Sequence, residues 1–580
     1  MIVCGAGFIV AYYTYGRFLA RKIFQLSPDA PVPSRQLQDG IDYVPTRRGI
    51  IFGHHFASIA GTGPIVGPAI GIIWGWLPAI LWVLLGSILM GAVHDFGTLV
   101  VSLRNEGKSI SEIAAKYINS RVRLMFFAIV FLALWLVIAI FGVVIAIIFA
   151  RFPSSVLPIW VQIPIAVALG FAVYKRNANV PAVTVLAVLG MYVSIAAGAW
   201  LEQHYPHLCQ MPALGPIPAT GLWTIILLIY GWVASTLPVT TLLQPRDYIN
   251  AWQLFVMMAL LAIGAAAAAL QGNLPLVAPV LNYSPAQAPP MWPFLFVSIA
   301  CGAISGFHAL VASGTSPKQI AAEPDCQFVG YGSMLLEGAL AVLVTVCVAA
   351  GIGIAYHTAD GATLTGLAAW KHHYSCWSTA EGLTANITAV VVGAANMFAA
   401  LKLPQPLGVA LMGVFIASFA GTTLDTSVRI QRYVIGELAT NLGAPILANR
   451  WVATTIAVAT AAALAFATGP TGQGAKVLWP TFGATNQLLA ALALLVVTMY
   501  LKRKGKFKFL VTALPCIVML TITTSAMLLN ERQFIREKNW LLATIGATIF
   551  TLAMWMTVET VILFVKGSEP ARHQSGGAPA

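Results

Sequence analysis

Apolar runs long enough to cross a bilayer follow one another along almost the whole chain. They lie near 2–24, 50–73, 76–101, 123–150, 157–174, 180–201, 220–241 and 249–271, and again near 292–314, 329–356, 380–401, 404–424, 452–468, 478–500, 509–529 and 540–565. A helix needs about 20 apolar residues to span the hydrocarbon core, where every backbone polar group must find its partner inside the protein. With 59% hydrophobic and only 9% charged residues in 580, a soluble cytoplasmic enzyme is excluded. The chain reads as an all-α polytopic membrane protein with about 17 transmembrane helices.

Lys and Arg outnumber Asp and Glu by 32 to 19, an excess that sets loop orientation and calls for no nucleic-acid partner. Basic residues crowd 17–48, 104–123 and 502–508, whereas 202–219 and 271–291 contain no Lys or Arg. The N-terminus is therefore placed outside and the C-terminus inside, with 566–580 a short cytoplasmic tail. The first run, followed by Arg17, Arg21 and Lys22, reads as a retained helix rather than a signal peptide. Parity then demands one further crossing before the basic cluster that follows Tyr500, and 425–447 is the segment that must supply it. A crossing that carries Asp425, Arg429 and Arg432 is a functional candidate; the alternative is an interfacial amphipathic helix beside a re-entrant neighbour. The seven cysteines lack metal-site spacing and read as packing residues, with Cys209 and Cys376 the one plausible non-cytoplasmic pair.

The same topology makes the segments from 50–73 to 180–201 and those from 220–241 to 380–401 run in opposite senses. This predicts an inverted 5+5 repeat, 50–201 and 220–401, with additional C-terminal helices over 404–565, in a single transmembrane domain. In such folds substrate and ions bind where the first helix of each repeat is broken. GHHFASIAGTGPIVGPAIG, 53–71, places Gly61, Thr62, Gly63 and Pro64 in mid-membrane, where Pro64 removes a donor and the glycines weaken the helix. YGWVASTLPVTTLLQPRDY, 230–248, is expected to be interrupted likewise at Ser235, Thr236, Leu237 and Pro238. Either break could instead be a packing kink. Free amides at half-helix N-termini suit a carboxylate better than a cation. A third interruption lies in 301–320, where Ser313, Thr315 and Ser316 could ligate sodium or simply bond carbonyls of their own helix.

Titratable residues within the spans are His54, His55, His94, Asp95, His308, Glu337, Asp425 and Glu559. Proton coupling needs one group reachable from both faces, and His54 and His55 beside the first break and His308 near the third are candidates for it. Each could equally be a hydrogen-bonded packing residue. His54 and His55 are spaced wrongly to share a metal on a helix face, and no metal or cofactor is expected. Asp95 and Asp247, the latter beside Arg246, could pair with loop arginines as an inner gate; ordinary interfacial anchoring is the alternative for Arg246 and Asp247. No nucleophile elbow, HExxH or Walker A motif occurs, so an enzyme or primary pump is disfavoured.

Long strings in the chain carry a family resemblance: DGIDYVPTRRGIIFGHHFASIAGTGPIVGP (39–68), GAVHDF (91–96), STLPVTTLLQPRDY (235–248), GFHALVASGTSPKQIAAE (306–323), VGYGSMLLEG (329–338), LDTSVRIQRY (424–433) and LWPTFGATNQLLAALAL (478–494). On these motifs the chain resembles the carbon starvation protein A (CstA) family of bacterial inner-membrane transporters. The resemblance implies a fold related to LeuT and the amino-acid/polyamine/organocation transporters. It also implies uptake of pyruvate or peptides under carbon starvation, with proton symport the expected coupling. By that resemblance His54, His55, Gly61, Thr62, Gly63, Ser235 and Thr236 would line the substrate site. On the residues' own chemistry coupling would fall to His54, His55, Asp95, His308, Ser313 and Thr315 and gating to Arg246 and Asp247, while the resemblance implies a supporting role for Asp425 and Arg429. Sodium-coupled uptake of a small carboxylate or amino acid, and a nutrient-binding membrane sensor, are the competing readings.

Overall fold

The computed structural model describes residues 1–358, 361–505 and 507–566; the expected tail after Lys566 lies outside them. Apart from a two-stranded antiparallel pair, Tyr356–His357 with Thr363–Leu364, the regular structure of the described residues is helical. The main helices in chain order are α1 (Ile2–Ile23), α2 (Arg48–Ile59), α3 (Gly63–Gly71), α4 (Trp76–Leu103), α5 (Ile110–Tyr117) and α6 (Ser120–Arg151). Next come α7 (Pro153–Lys175), α8 (Val180–His204), α9 (Ala219–Thr236), α10 (Leu243–Leu270), α11 (Met291–Ser298), α12 (Gly306–Gly314) and α13 (Gln327–Gly353). The last six are α14 (Leu383–Ala399), α15 (Gln405–Asn441), α16 (Arg450–Ala465), α17 (Gly474–Lys502), α18 (Leu510–Arg536) and α19 (Trp540–Lys566).

Twelve of these helices are long and apolar enough to cross a membrane, thirteen if α2 and α3, bent by 43° at their break, count as one span. The expected number was larger, and the differences have identifiable causes. The runs 404–424 and 425–447 are not two crossings but one uninterrupted helix of 37 residues, α15, about 55 Å long at 1.5 Å per residue. Its polar half stays helical because Asp425, Arg429 and Arg432 are buried and each has a partner, Arg246 of α10 for the first and Asp42 of the connector between α1 and α2 for the two arginines.

The run 380–401 is not a crossing either. Gln271 Nε2 donates to the carbonyl of Ala400 at the end of α14 (3.1 Å), and the amide of Trp377, just before α14, donates to Ala286 (2.8 Å). Residues 271 and 286 belong to one loop, so α14 begins and ends on the same face of the molecule. Finally, 292–314 is split into α11 and α12, each too short to span alone.

Periphery and centre differ as a bilayer requires. On α8, Leu186 and Val193 are 69% and 68% exposed, a lipid-facing stripe, while α6, α15 and α17 form the buried middle of the bundle. All seven cysteines are free, so the expected pair Cys209 and Cys376 is not a disulfide.

Candidate functional site

Two broken helices meet in the centre of the bundle. Between α2 and α3 the backbone leaves the helix at Ala60–Thr62, and Pro64 sits in the first turn of α3, where a missing N–H leaves no acceptor unsatisfied. The amides of Thr62 and Gly63 make no backbone hydrogen bond, and the helix dipole of α3 points its positive end at the same spot. The partner break is the stretch between α11 and α12, residues 299–305. A Cβ on Gly63 would strike the side chain of Cys301, and one on Gly61 would strike Thr423 Oγ1. The glycines are thus required by close approach of the two breaks to each other and to α15.

Around these breaks lies a cavity of about 800 Å³. Gly61–Gly63, Ser298 and Cys301 line it from the breaks, Phe141 from α6, Thr423 from α15 and Asn486 from α17. Asn486 also caps α12, accepting from the amide of Phe307 (2.9 Å) and donating to Ser305 Oγ (3.0 Å). Gln287, Trp377 and Glu381 line the cavity as well, so it opens toward the face that carries loop 271–290. Among the described residues lining it there is no Lys, Arg or His.

Toward the opposite face the path is closed by polar layers. His54 of α2 bonds Asp247 of α10 through Nδ1 (2.6 Å) and Thr315 through Nε2 (3.1 Å), and Ser58 donates to the same carboxylate (3.3 Å). Arg246, next to Asp247, is paired with Asp425 of α15, and Tyr230 of α9 donates to that carboxylate (2.8 Å). Arg246 and Asp247 are 2% and 0% exposed, so they are not interfacial anchors but a buried charged layer. His55 bonds Ser316 (2.7 Å).

Beyond this layer the connector 24–47 is latched to α15. Asp42 accepts from Arg429 (2.7 Å), Arg432 (2.8 Å) and Tyr433 (2.8 Å), while Arg429 also donates to the carbonyls of Ala234 and Leu237 at the end of α9. The amides of Val44 and Thr46 bond the carbonyls of Lys318 and Gln319. Burial alone would push the Asp42 carboxyl up, but Arg429, Arg432 and Lys318 outweigh it and hold it at about 2. A carboxylate lowered from 3.8 to about 2 contributes its stability fully above the higher value and loses it only as pH falls through the lower one. The latch is therefore expected to stay closed from pH 5 to pH 8, and Asp42→Asn to open it. Labelling of a cysteine placed at Thr315 from the connector side, compared across that pH range, checks both.

A second buried cluster lies beside the cavity wall. Asp95 of α4 accepts from His94 (2.7 Å) and from Nδ1 of His308 on α12 (2.9 Å), and Glu337 of α13 stands 3.2 Å from Nε2 of His308. Asp95 therefore faces histidines and no loop arginine, contrary to the expected gate. Ser313 donates to the carbonyl of Ala309 in its own helix (2.7 Å), and Thr315 and Ser316 are engaged by His54 and His55. Those hydroxyls do not converge into a sodium cage.

The expected second break is the other correction. Ser235 and Thr236 close α9, Thr236 bonds the carbonyls of Trp232 and Val233, and the chain turns into α10. That interruption ends a span and lies off the cavity. Of the expected substrate residues, only Gly61, Thr62 and Gly63 reach the cavity wall. Cys301, Thr423, Phe141 and Asn486 had no assigned role, although Cys301, Thr423 and Asn486 fall in or beside quoted motifs. Asp42, inside the 39–68 motif, is likewise an addition, and Glu337, expected only as a titratable residue within a span, stands beside His308.

A sequence model described as carbon starvation protein CstA matches residues 1–526. The peptide transporter CstA of Helicobacter pylori is 34% identical over 554 residues, covering 89% of this chain and 79% of its own. The pyruvate/proton symporter BtsT of Escherichia coli is 31% identical over 581 residues, covering 90% and 80%. Among solved structures, the manganese transporter of Eremococcus coleocola aligns with TM-score 0.50 at 11% identity over 91% of this chain and 99% of that one, a likeness of fold alone.

Proposed function

Since this chain belongs to the carbon starvation protein CstA family, we propose that it is a multi-pass transporter of pyruvate or peptides, driven by proton symport. It is no enzyme. The observation that carries the reading is the cavity between two facing helix breaks, open toward one face and closed toward the other by the His54–Asp247 layer and the Asp42 latch. A solute carboxylate bonds the amides of Thr62 and Gly63 at the positive end of α3, since among the described residues no cationic side chain lines the cavity to do so. The connector releases α15 as the path to the other face opens.

The two breaks suggest where the inverted halves begin. The first starts with α2 and α3, and the second with α11 and α12, near 291 rather than 220, each half containing one long central helix, α6 or α15. With α14 not crossing and α15 crossing once, the basic stretches 17–48, 104–123 and 502–508 fall on one side. The N-terminus is then periplasmic and the C-terminus cytoplasmic, in a bacterial inner membrane.

The coupling proton is assigned to the His54–Asp247 pair, which lies between cavity and latch. Proteoliposomes given labelled pyruvate or a labelled dipeptide, with a proton or a sodium gradient, test the reading. Accumulation of either solute under the proton gradient is expected. Accumulation driven by sodium alone would overturn the coupling, and binding without accumulation would overturn transport. His54→Gln is expected to lose proton-driven accumulation while keeping exchange of labelled for unlabelled solute, which moves no net proton. Unimpaired accumulation in that variant would remove the proton from His54.

A further inference from the structure

The cluster at the cavity wall holds an arrangement that proton coupling at His54 does not use. Cys301 Sγ, a ring nitrogen of His308 and a carboxylate oxygen of Glu337 lie within 4.8 Å of one another. They come from the break before α12, from α12 and from α13. His308 and Glu337 are fully buried, and neither Nε2 of His308 nor either oxygen of Glu337 has a hydrogen-bond partner among the described residues. The 3.2 Å approach of Nε2 to Glu337 lacks hydrogen-bond geometry. A buried carboxylate with neither oxygen hydrogen-bonded, and whose charged neighbour is a single ring nitrogen at 3.2 Å, is under-satisfied, so it has room for a cation between itself and that nitrogen.

The orientation of His308 points the same way. Its Nδ1–H is committed to Asp95, whose other oxygen accepts from His94. In neutral imidazole this leaves the Nε2 lone pair facing Glu337 and Cys301. A carboxylate that fixes the tautomer of a histidine from behind is the usual support of a metal-ligating histidine. We propose that Cys301, His308 and Glu337 bind a borderline divalent transition-metal ion of the zinc class, with Asp95 as the positioning residue. Thiolate, imidazole and carboxylate are the ligand types such an ion takes. Tetrahedral ligand atoms sit about 3.3–3.8 Å apart, so closure around an ion needs shifts of about 1 Å. Cys301 lines the cavity, which gives the ion a way in and leaves one coordination position toward a bound solute. Sequence spacing was silent because the three ligands share no helix face.

Chelator-stripped protein in detergent, titrated with Co²⁺ and then Zn²⁺, tests this without any transport assay. One Co²⁺ per chain is expected, with a thiolate-to-cobalt charge-transfer band that Zn²⁺ abolishes. Cys301→Ser is expected to lose the band, and Asp95→Asn to bind roughly 10–100-fold more weakly. In the Cys376→Ser background, where the other half-exposed cysteine is gone, Zn²⁺ is expected to protect Cys301 from maleimide. Absence of stoichiometric Co²⁺ binding by the unsubstituted chain would overturn the proposal. So would a band that survives in Cys301→Ser, or unchanged maleimide labelling with Zn²⁺ present.

Discussion

Asp425→Ala is expected to destabilise the protein by about 3–5 kcal/mol, since it strands Arg246 as a buried charge without its counter-ion. The pair is 0% and 2% exposed, and Tyr230 binds the same carboxylate oxygen, so no water shell replaces the lost partner. Gly421, one turn before Asp425, leaves the room the guanidinium occupies: a Cβ there would collide with Nη2 of Arg246. The readout is the thermal unfolding midpoint of purified protein in detergent. The double variant Arg246→Met with Asp425→Leu should recover most of the loss, because apolar replacement of a buried ion pair is often neutral. A single variant as stable as the parent would mean that the pair contributes nothing to holding α10 against α15.

Gly63→Val is expected to abolish uptake in protein of normal abundance. The new side chain meets Cys301 across the gap between the breaks, and no flexible neighbour can yield without moving the backbone between α11 and α12. It also covers the amides of Thr62 and Gly63 on which the solute carboxylate is proposed to sit. Gly67 faces the carbonyl of Ser298 one turn away, and a Cβ there would approach it to 2.7 Å. Gly67→Ala should therefore weaken folding too and serves as the control: at equal amounts of folded protein Gly63→Val should lose substrate binding and Gly67→Ala should keep it. Substrate binding by Gly63→Val equal to that of the parent would move the solute elsewhere in the cavity.

The sequence alone determined that this chain is a helical membrane protein, because hydropathy and helix length are local properties. It also located the break at Gly61–Pro64, since Gly and Pro act on the backbone within one turn, and it singled out His54 and Asp425 as ionisable groups too costly to lie in lipid unpaired, while leaving Arg246 and Asp247 open between a gate and interfacial anchoring. Which group each would pair with was decided only by tertiary structure. Gly63 faces Cys301, not Ser235, and Asp95 faces His308, not an arginine. A hydropathy window cannot distinguish two crossings from the single helix α15, nor a span from α14, whose two ends return to one loop. Those outcomes depend on contacts between residues far apart in the chain, where burial against neighbours rather than composition decides whether a polar stretch remains helical.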